Sequence, residues 1–232
     1  MDYESLLELV KQRRSCRKFK PETVPDEYID KIIEVSRWAP SGANSQPWEF
    51  IVVKNVETKR KIAQFLEEHN TLTHKMDLTR NPTRSAPPAP VDLSIPVLII
   101  LCGDPRTTEA YPVYTVYQRG LSVFESSLAS AFLYMHLAAT SLGLGSRWIS
   151  ATRNYYVQCL TKDLLGIPKE LEIYDTMAIG YPDSESQPRL VRAKEEIVHY
   201  DSYDKSKSRT DEEVRAFIAS FAGGNTNAPK PS

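Results

Sequence analysis

Cysteine is scarce in this chain. Cys16, Cys102 and Cys159 are the three present, far apart, odd in number and without a CxxC pair. A disulfide scaffold or structural zinc site therefore has little to be built from, and a reducing cytoplasm is the expected location. Long apolar runs are missing too. The longest, "VLIILC" at 97–102, is far below a membrane span. The N-terminal "MDYESLLELVKQRR" lacks the basic-then-apolar order of a signal peptide. No charge excess exists: the formal net charge is −1, so no global field draws the chain to nucleic acid or an anionic membrane. No strand–GxGxxG–helix unit occurs, the nearest candidate "GLGSRW" lacking the third glycine, and GxxxxGK[ST] and HExxH are absent. That leaves no sequence case for a Rossmann domain, a nucleotide-phosphate loop or a zinc hydrolase. No internal repeat is visible.

What is present is an ordinary globular composition, 41% apolar and 25% charged, in 232 residues, enough for one large or two small domains. Tyr3, Leu6, Leu7 and Val10 recur at helical spacing over 3–13. "RRSCRKFK" (13–20) breaks the pattern with five basic side chains in eight. A second helix starts near Pro25, where Asp26 and Glu27 suit a first turn, and Ile29, Ile32, Ile33 and Ser36 form its buried face. "APSGANSQP" stops it. "WEFIVVK" (48–54) reads as a buried strand and 56–69 as a helix. Residues 70–96, with Pro82, Pro87, Pro88, Pro90 and Pro96, read as an irregular lid. Then come a strand at 97–103, a long helix at 120–142, a turn and strand at 143–150, and a helix from Asn154 closed by Gly166 and Pro168. A strand at 172–182, a short fifth strand at 197–200, an amphipathic helix from Thr210 and a disordered tail "GGNTNAPKPS" complete the chain. The expected class is α+β, with helices packed on a small sheet.

Three stretches could hold one ligand. In "RRSCR", Arg13, Arg14 and Arg17 offer forked donors and Ser15 a hydroxyl, matched to phosphate oxygens; a solvated basic turn or a weak nucleic-acid patch fits as well. In "APSGANSQPW", Asn44 and Gln46 each bring a donor and an acceptor suited to the edge of a flat heterocycle; a plain helix stop fits equally. In "GSRWIS", Trp148 and Ile149 could form a wall with Ser150 presenting a hydroxyl or an amide; a buried strand start is the alternative. His69 and His74 sit five apart with no further ligands near and read as lid residues. His136 reads as a core or interface residue. Cys16 lies beside arginines that could activate it, though a redox role is the lesser reading. Tyr111, Tyr114 and Tyr117 read as packing groups.

The order and spacing of these motifs, with "AIGYP" further on, resemble the nitroreductase family of flavoproteins from about residue 5 to 200. The resemblance implies a nitroreductase-like α+β fold, helices around a small mixed central sheet, and an intertwined homodimer holding FMN non-covalently. It implies a domain at 1–204 and a helical extension with a flexible tail at 205–232. By residue-wise carry-over, Arg13, Arg14, Ser15 and Arg17 would hold the phosphate and one ring edge. Pro40, Ser41, Gly42 and Asn44 would come from the partner subunit to cover the ring. Trp148, Ile149 and Ser150 would line the other side, with Ser150 nearest flavin N5 as the catalytic candidate. Arg192, in "LVRAKEEIV", is the nearest match to a C-terminal basic position, shifted by one residue and without the family's proline. No metal is implied. NAD(P)H would deliver hydride at the open flavin face and leave before a nitroaromatic, quinone or similar conjugated acceptor binds there, giving ping-pong kinetics. The iodotyrosine deiodinase branch also shares "RRSxR" and "APSGAN", but residues 64–96 lack the tyrosine of its lid. A branch that fragments flavin carries an acidic residue in place of Ser15 and is disfavoured. The rival readings are a reductive dehalogenase-like flavoenzyme, a flavin-binding regulatory protein without turnover, and a basic-patch module without flavin.

Overall fold

The structure is a computed structural model and describes residues 2–80, 95–184 and 191–222. By compactness the chain divides into two units, residues 1–184 and 185–232.

The first unit is built on a four-stranded sheet in the order β1-β2-β4-β3: β1 Trp48–Val53, β2 Val97–Gly103, β3 Gly145–Ile149 and β4 Glu172–Gly180. Every strand pairing is antiparallel. The sheet is therefore antiparallel rather than mixed as expected; among the described residues the parallel contact is an isolated bridge from Ser15 to Ser146 of β3, outside the sheet's strand pairs. β2 shows why "VLIILCG" reads as a continuous apolar run: a helical layer covers each face of the sheet. Val97, Ile99 and Leu101 pack with α2 (Asp26–Ser36) and α4 (Val113–Ser141). Leu98, Ile100 and Cys102 pack on the opposite face with α3 (Val56–Arg80) and α5 (Tyr155–Leu165). Each large apolar side chain buried here contributes about 1.5–3 kcal/mol.

Several boundaries differ from expectation for identifiable reasons. α3 runs on to Arg80, so residues 70–80 are helix rather than lid. Prolines, the strongest local signal in that region, begin only at Pro82, and residues 81–94 lie outside the described set. α4 starts at Val113, because Pro112 occupies its N-cap and Gly120 is accommodated inside the helix instead of starting it. α5 begins where expected: the Asn154 side chain accepts from Tyr156 N, and Gly166 closes the helix with φ 65°. α1 (Tyr3–Gln12) forms as its periodicity predicts, capped by Asp2, but none of its residues is buried.

The second unit holds a short helix α6 (Lys194–Ile197) and α7 (Asp211–Ala222). The expected fifth strand at 197–200 is replaced by the end of α6 and irregular chain, because "KEEI" takes a helical turn before the β-branched residues can extend. The expected tail at 223–232 lies outside the described residues. No helix among the described residues is long and apolar enough to cross a membrane.

Candidate functional site

The basic stretch does not float free. Cys16 N donates to the Ser146 carbonyl at 2.8 Å, Lys20 N donates to Tyr181 O at 2.9 Å, and Phe19 bridges Pro182. Cys16 and Phe19 turn inward as anchors, each about 95% buried, and the Cys16 thiol donates to Lys18 O at 3.0 Å. Ser15 and Arg17 remain exposed, with Arg13 and Arg14 half-buried. Gly145 makes this docking possible: a Cβ there would lie 2.8 Å from Cys16 Cβ and 2.9 Å from Sγ. Cys16 is thus a packing group beneath the arginines.

β3 is the edge strand against which the segment lies. Among the described residues, no named strand pairing takes its outer edge beyond the Ser15–Ser146 bridge. Its inner face is tied down by polar contacts. His136 Nδ1 and Ser146 Oγ share a hydrogen bond of 2.7 Å, and Trp148 Nε1 donates to Asp175 Oδ2 at 2.6 Å. The Trp148 ring stacks on His136, centroids 5.5 Å apart and 13° between planes, with Phe132 edge-on at 4.4 Å. Despite these contacts Trp148 is 41% exposed. Ile149 is buried, and Ser150 lies exposed in the 3-10 turn Ser150–Arg153. Thr152 fixes that turn: its hydroxyl donates to Ile149 O at 3.1 Å and accepts from Thr176 at 3.1 Å.

Two buried titratable groups sit beneath this wall. Burial, with the Arg13 charge nearby, pushes His136 down to about 4, so it is neutral at ordinary pH. Burial pushes Asp175 up to about 6, against the pull of the Trp148 N–H and of Arg153. Arg153 in turn pairs with Glu125 and lies 5.6 Å over the Tyr174 ring.

The second stretch is placed elsewhere. Pro40, Ser41, Gly42 and Asn44 lie against the first half of α4, where Gly42 N donates to Ser127 Oγ at 3.1 Å. A Cβ on Gly42 would come within 2.3 Å of Val123. Ser127 and His136 are nine residues apart on α4, about 13 Å of helix. Within one chain, then, the first and third sequence stretches meet and the second stands apart. Its backbone is unusual: Ala43, Asn44 and Gln46 adopt φ of 50°, 53° and 44°. Such left-handed backbone at non-glycine residues is costly and clusters at functional sites. Arg192 belongs to the second unit, where its guanidinium reaches Glu196 at 3.4 Å. Tyr111 packs as expected and is 5% exposed, whereas Tyr114 and Tyr117 are largely exposed. His136 is a core residue. No group of histidine, cysteine and carboxylate residues able to hold a metal occurs among the described residues.

Sequence reasoning missed Asp175, Ser146 and Arg153. Asp175 had a signal: a carboxylate in the middle of the mostly apolar strand "EIYDTMAIG" demands a buried partner.

The Nitroreductase family model matches residues 10–181, a span that contains the contacts among the basic stretch, β3 and Asp175. The chain belongs to the nitroreductase family. A nitroreductase relative from Methanothermobacter thermautotrophicus, provisionally named an NADH dehydrogenase/NAD(P)H nitroreductase, is 33% identical over 180 residues, covering 76% of this chain and 77% of that one. An FMN-dependent nitroreductase from Clostridium difficile R20291 superposes with a TM-score of 0.64 at 25% identity, covering 85% of this chain and 99% of its own. A solved iodotyrosine deiodinase bound to FMN and 3-iodo-L-tyrosine superposes with a TM-score of 0.67 at 25% identity, over 85% and 100% of the two chains. In nitroreductase terms, the α+β expectation and the family resemblance both hold.

The donor set fits a flavin mononucleotide. Arginines and a serine stand at one end of an exposed strand edge, suited to a phosphate. The open edge and half-open indole beyond them suit a flat ring with alternating donors and acceptors.

Proposed function

We propose that this chain is an FMN-dependent oxidoreductase that passes electrons from NAD(P)H to a nitroaromatic, quinone or similar conjugated acceptor. FMN, when bound, supplies hydride acceptance and donation at ring N5. The observation that carries the reading is the parallel bridge between Ser15 and Ser146, which sets the arginine cluster at the head of the free edge of β3. Arg13, Arg14, Ser15 and Arg17 hold the phosphate and one ring edge. A positive charge from Arg17 near N1 and O2 favours the anionic reduced ring. Trp148 and Ile149 form the wall, and Ser150 presents its hydroxyl or amide towards N5.

The homodimer is part of this proposal. Pro40, Ser41, Gly42 and Asn44 stand about a third of the length of α4 from the β3 contacts of their own chain, and on this reading a second copy supplies them to cover the ring. The uncovered apolar faces of α1 (Tyr3, Leu6, Val10) and α4 (Tyr114, Tyr117, Leu121) support such an association. With one open ring face, donor and acceptor use it in turn, and the kinetics are ping-pong.

The test is the absorbance spectrum of the purified protein, repeated without oxygen after NADH and then NADPH. A flavin band that bleaches supports the reading. A protein without a flavin band, even after added FMN, overturns it. A band that no nicotinamide bleaches favours a regulatory flavin-binding protein. The likeness to an iodotyrosine deiodinase favours reductive dehalogenation as a second reading. The lack of tyrosine across 64–96 weighs against iodotyrosine as its substrate.

A further inference from the structure

The polar groups with the least outlet lie directly beneath the proposed wall. Asp175 is 5% exposed on the inner strand β4, and its Oδ1 has no hydrogen-bond partner. Its other oxygen accepts the Trp148 indole N–H. A carboxylate buried in a sheet is costly, and a well-packed apolar residue there would often be at least as stable. Register makes the position specific. The β3–β4 ladder ends at Ile149 opposite Thr176, so Asp175 stands one step past it, level with the point where the chain leaves β3 for Ser150. Asp175 makes its contact with the wall through one side chain, Trp148.

We propose that Asp175 is a positioning residue: it holds the Trp148 indole as the flavin-side wall, and gaining or losing its proton resets that wall. The inference rests on the flavoenzyme reading above. The groups facing Asp175 are Trp148 from β3, Arg153 from the following turn and its own neighbour Tyr174, with Glu125 of α4 pairing Arg153. Leu101, opposite on β2, is apolar. His136 of α4 reaches the group only through the stacked indole. Ionised, the carboxylate makes a charge-assisted bond to the indole; protonated, it makes a weaker neutral one. The ring is then held less firmly against His136. Burial places this titration near 6, where the folded protein is readily studied.

The experiment titrates the FMN-loaded full chain from about pH 5 to 8, reading the visible flavin band and tryptophan emission together. Wild type is compared with Asp175→Asn, Asp175→Leu and Trp148→Phe. In wild type both signals step together near Asp175 titration. Asp175→Asn keeps FMN and an acceptor for the indole but shows no step. Asp175→Leu cannot accept the indole N–H and weakens FMN at least about tenfold, a loss that the asparagine variant largely rescues. Trp148→Phe shows no step in the flavin band. If the leucine variant does not fold, the other two profiles decide. A wild type without a step, or a step that persists in Asp175→Asn, overturns the proposal. A flavin step that persists in Trp148→Phe overturns the indole as the link. A wild type that stays colourless after added FMN overturns the flavoenzyme reading and this inference with it; loaded protein with unresponsive variants overturns the inference alone.

Discussion

The sheet has two edges, and they are built differently. β1, at one edge, reads "WEFIVV" and is held by apolar packing, with Trp48 and Val53 buried and Glu49 turned out. β3, at the other, carries bonds to two buried titratable groups, His136 under Ser146 and Asp175 under Trp148. The β1 pattern is what a structural edge needs. The β3 pattern is less economical, because each buried polar group must be desolvated and paired. The difference sets β3 apart as the edge on which the proposed flavin site lies, with the basic stretch docked on it.

The largest expected effect comes from the interior strand between them. Ile100→Ala in β2, where the side chain is fully buried on the sheet face away from Asp175, costs about 2–5 kcal/mol. Flavin bound per folded molecule stays unchanged, as urea unfolding and absorbance of the folded fraction will check. Flavin lost in parallel with stability would erase the distinction between core and site.

Next is Gly145→Ala at the head of β3, which pushes against Cys16 and costs about 1–3 kcal/mol by overpacking. Unlike the β2 change, it also displaces the arginines and weakens FMN in a fluorescence titration. Arg13→Ala removes a charge-assisted contact, about 1.5–3 kcal/mol of FMN affinity, without unfolding the chain. Normal flavin occupancy in that variant would sink the phosphate assignment.

The pH dependence sharpens the contrast further. Asp175 is raised from 3.8 to about 6 on folding, so the folded state holds the proton longer than the unfolded chain. Its contribution falls as pH rises between these values, by about 3 kcal/mol in all. His136 is lowered from 6.5 to about 4, so its contribution is intact above the unfolded value and is lost as pH falls through that window. The two slopes oppose each other in wild type. Asp175→Asn leaves only the second: its stability rises from about pH 4 to 6.5 and exceeds wild type above pH 6 by about 1–3 kcal/mol. Chemical denaturation across pH measures this directly. The smallest effect belongs to an exposed pair: Arg37→Ala, which breaks the contact with Glu34, shifts stability by less than about 1 kcal/mol.

Much of this could be read before any coordinates. Apolar periodicity placed β1, β2, β4, α1, α2 and α5, because a residue's burial leaves its trace at fixed spacing. Asn154 and Gly166 marked the limits of α5 by backbone chemistry alone. "RRSCR" and "GSRWIS" announced donors and a wall by residue type. Local signals failed where they competed: the prolines after residue 81 hid the last turns of α3, and Gly120 hid the first turns of α4.

The tertiary structure alone decided which stretches meet. Sequence carries no distance between residues far apart in the chain, so it could not say that Ser15 reaches Ser146 while Gly42 anchors on Ser127. Nor could it say that Asp175, a buried carboxylate in a mostly apolar strand, bonds the indole of Trp148. Composition and period determined the elements and their apolar faces, and the order and spacing of the motifs carried the family resemblance. Packing determined the site, because a carboxylate or histidine takes its properties from what surrounds it, and its surroundings come from four separate parts of the chain.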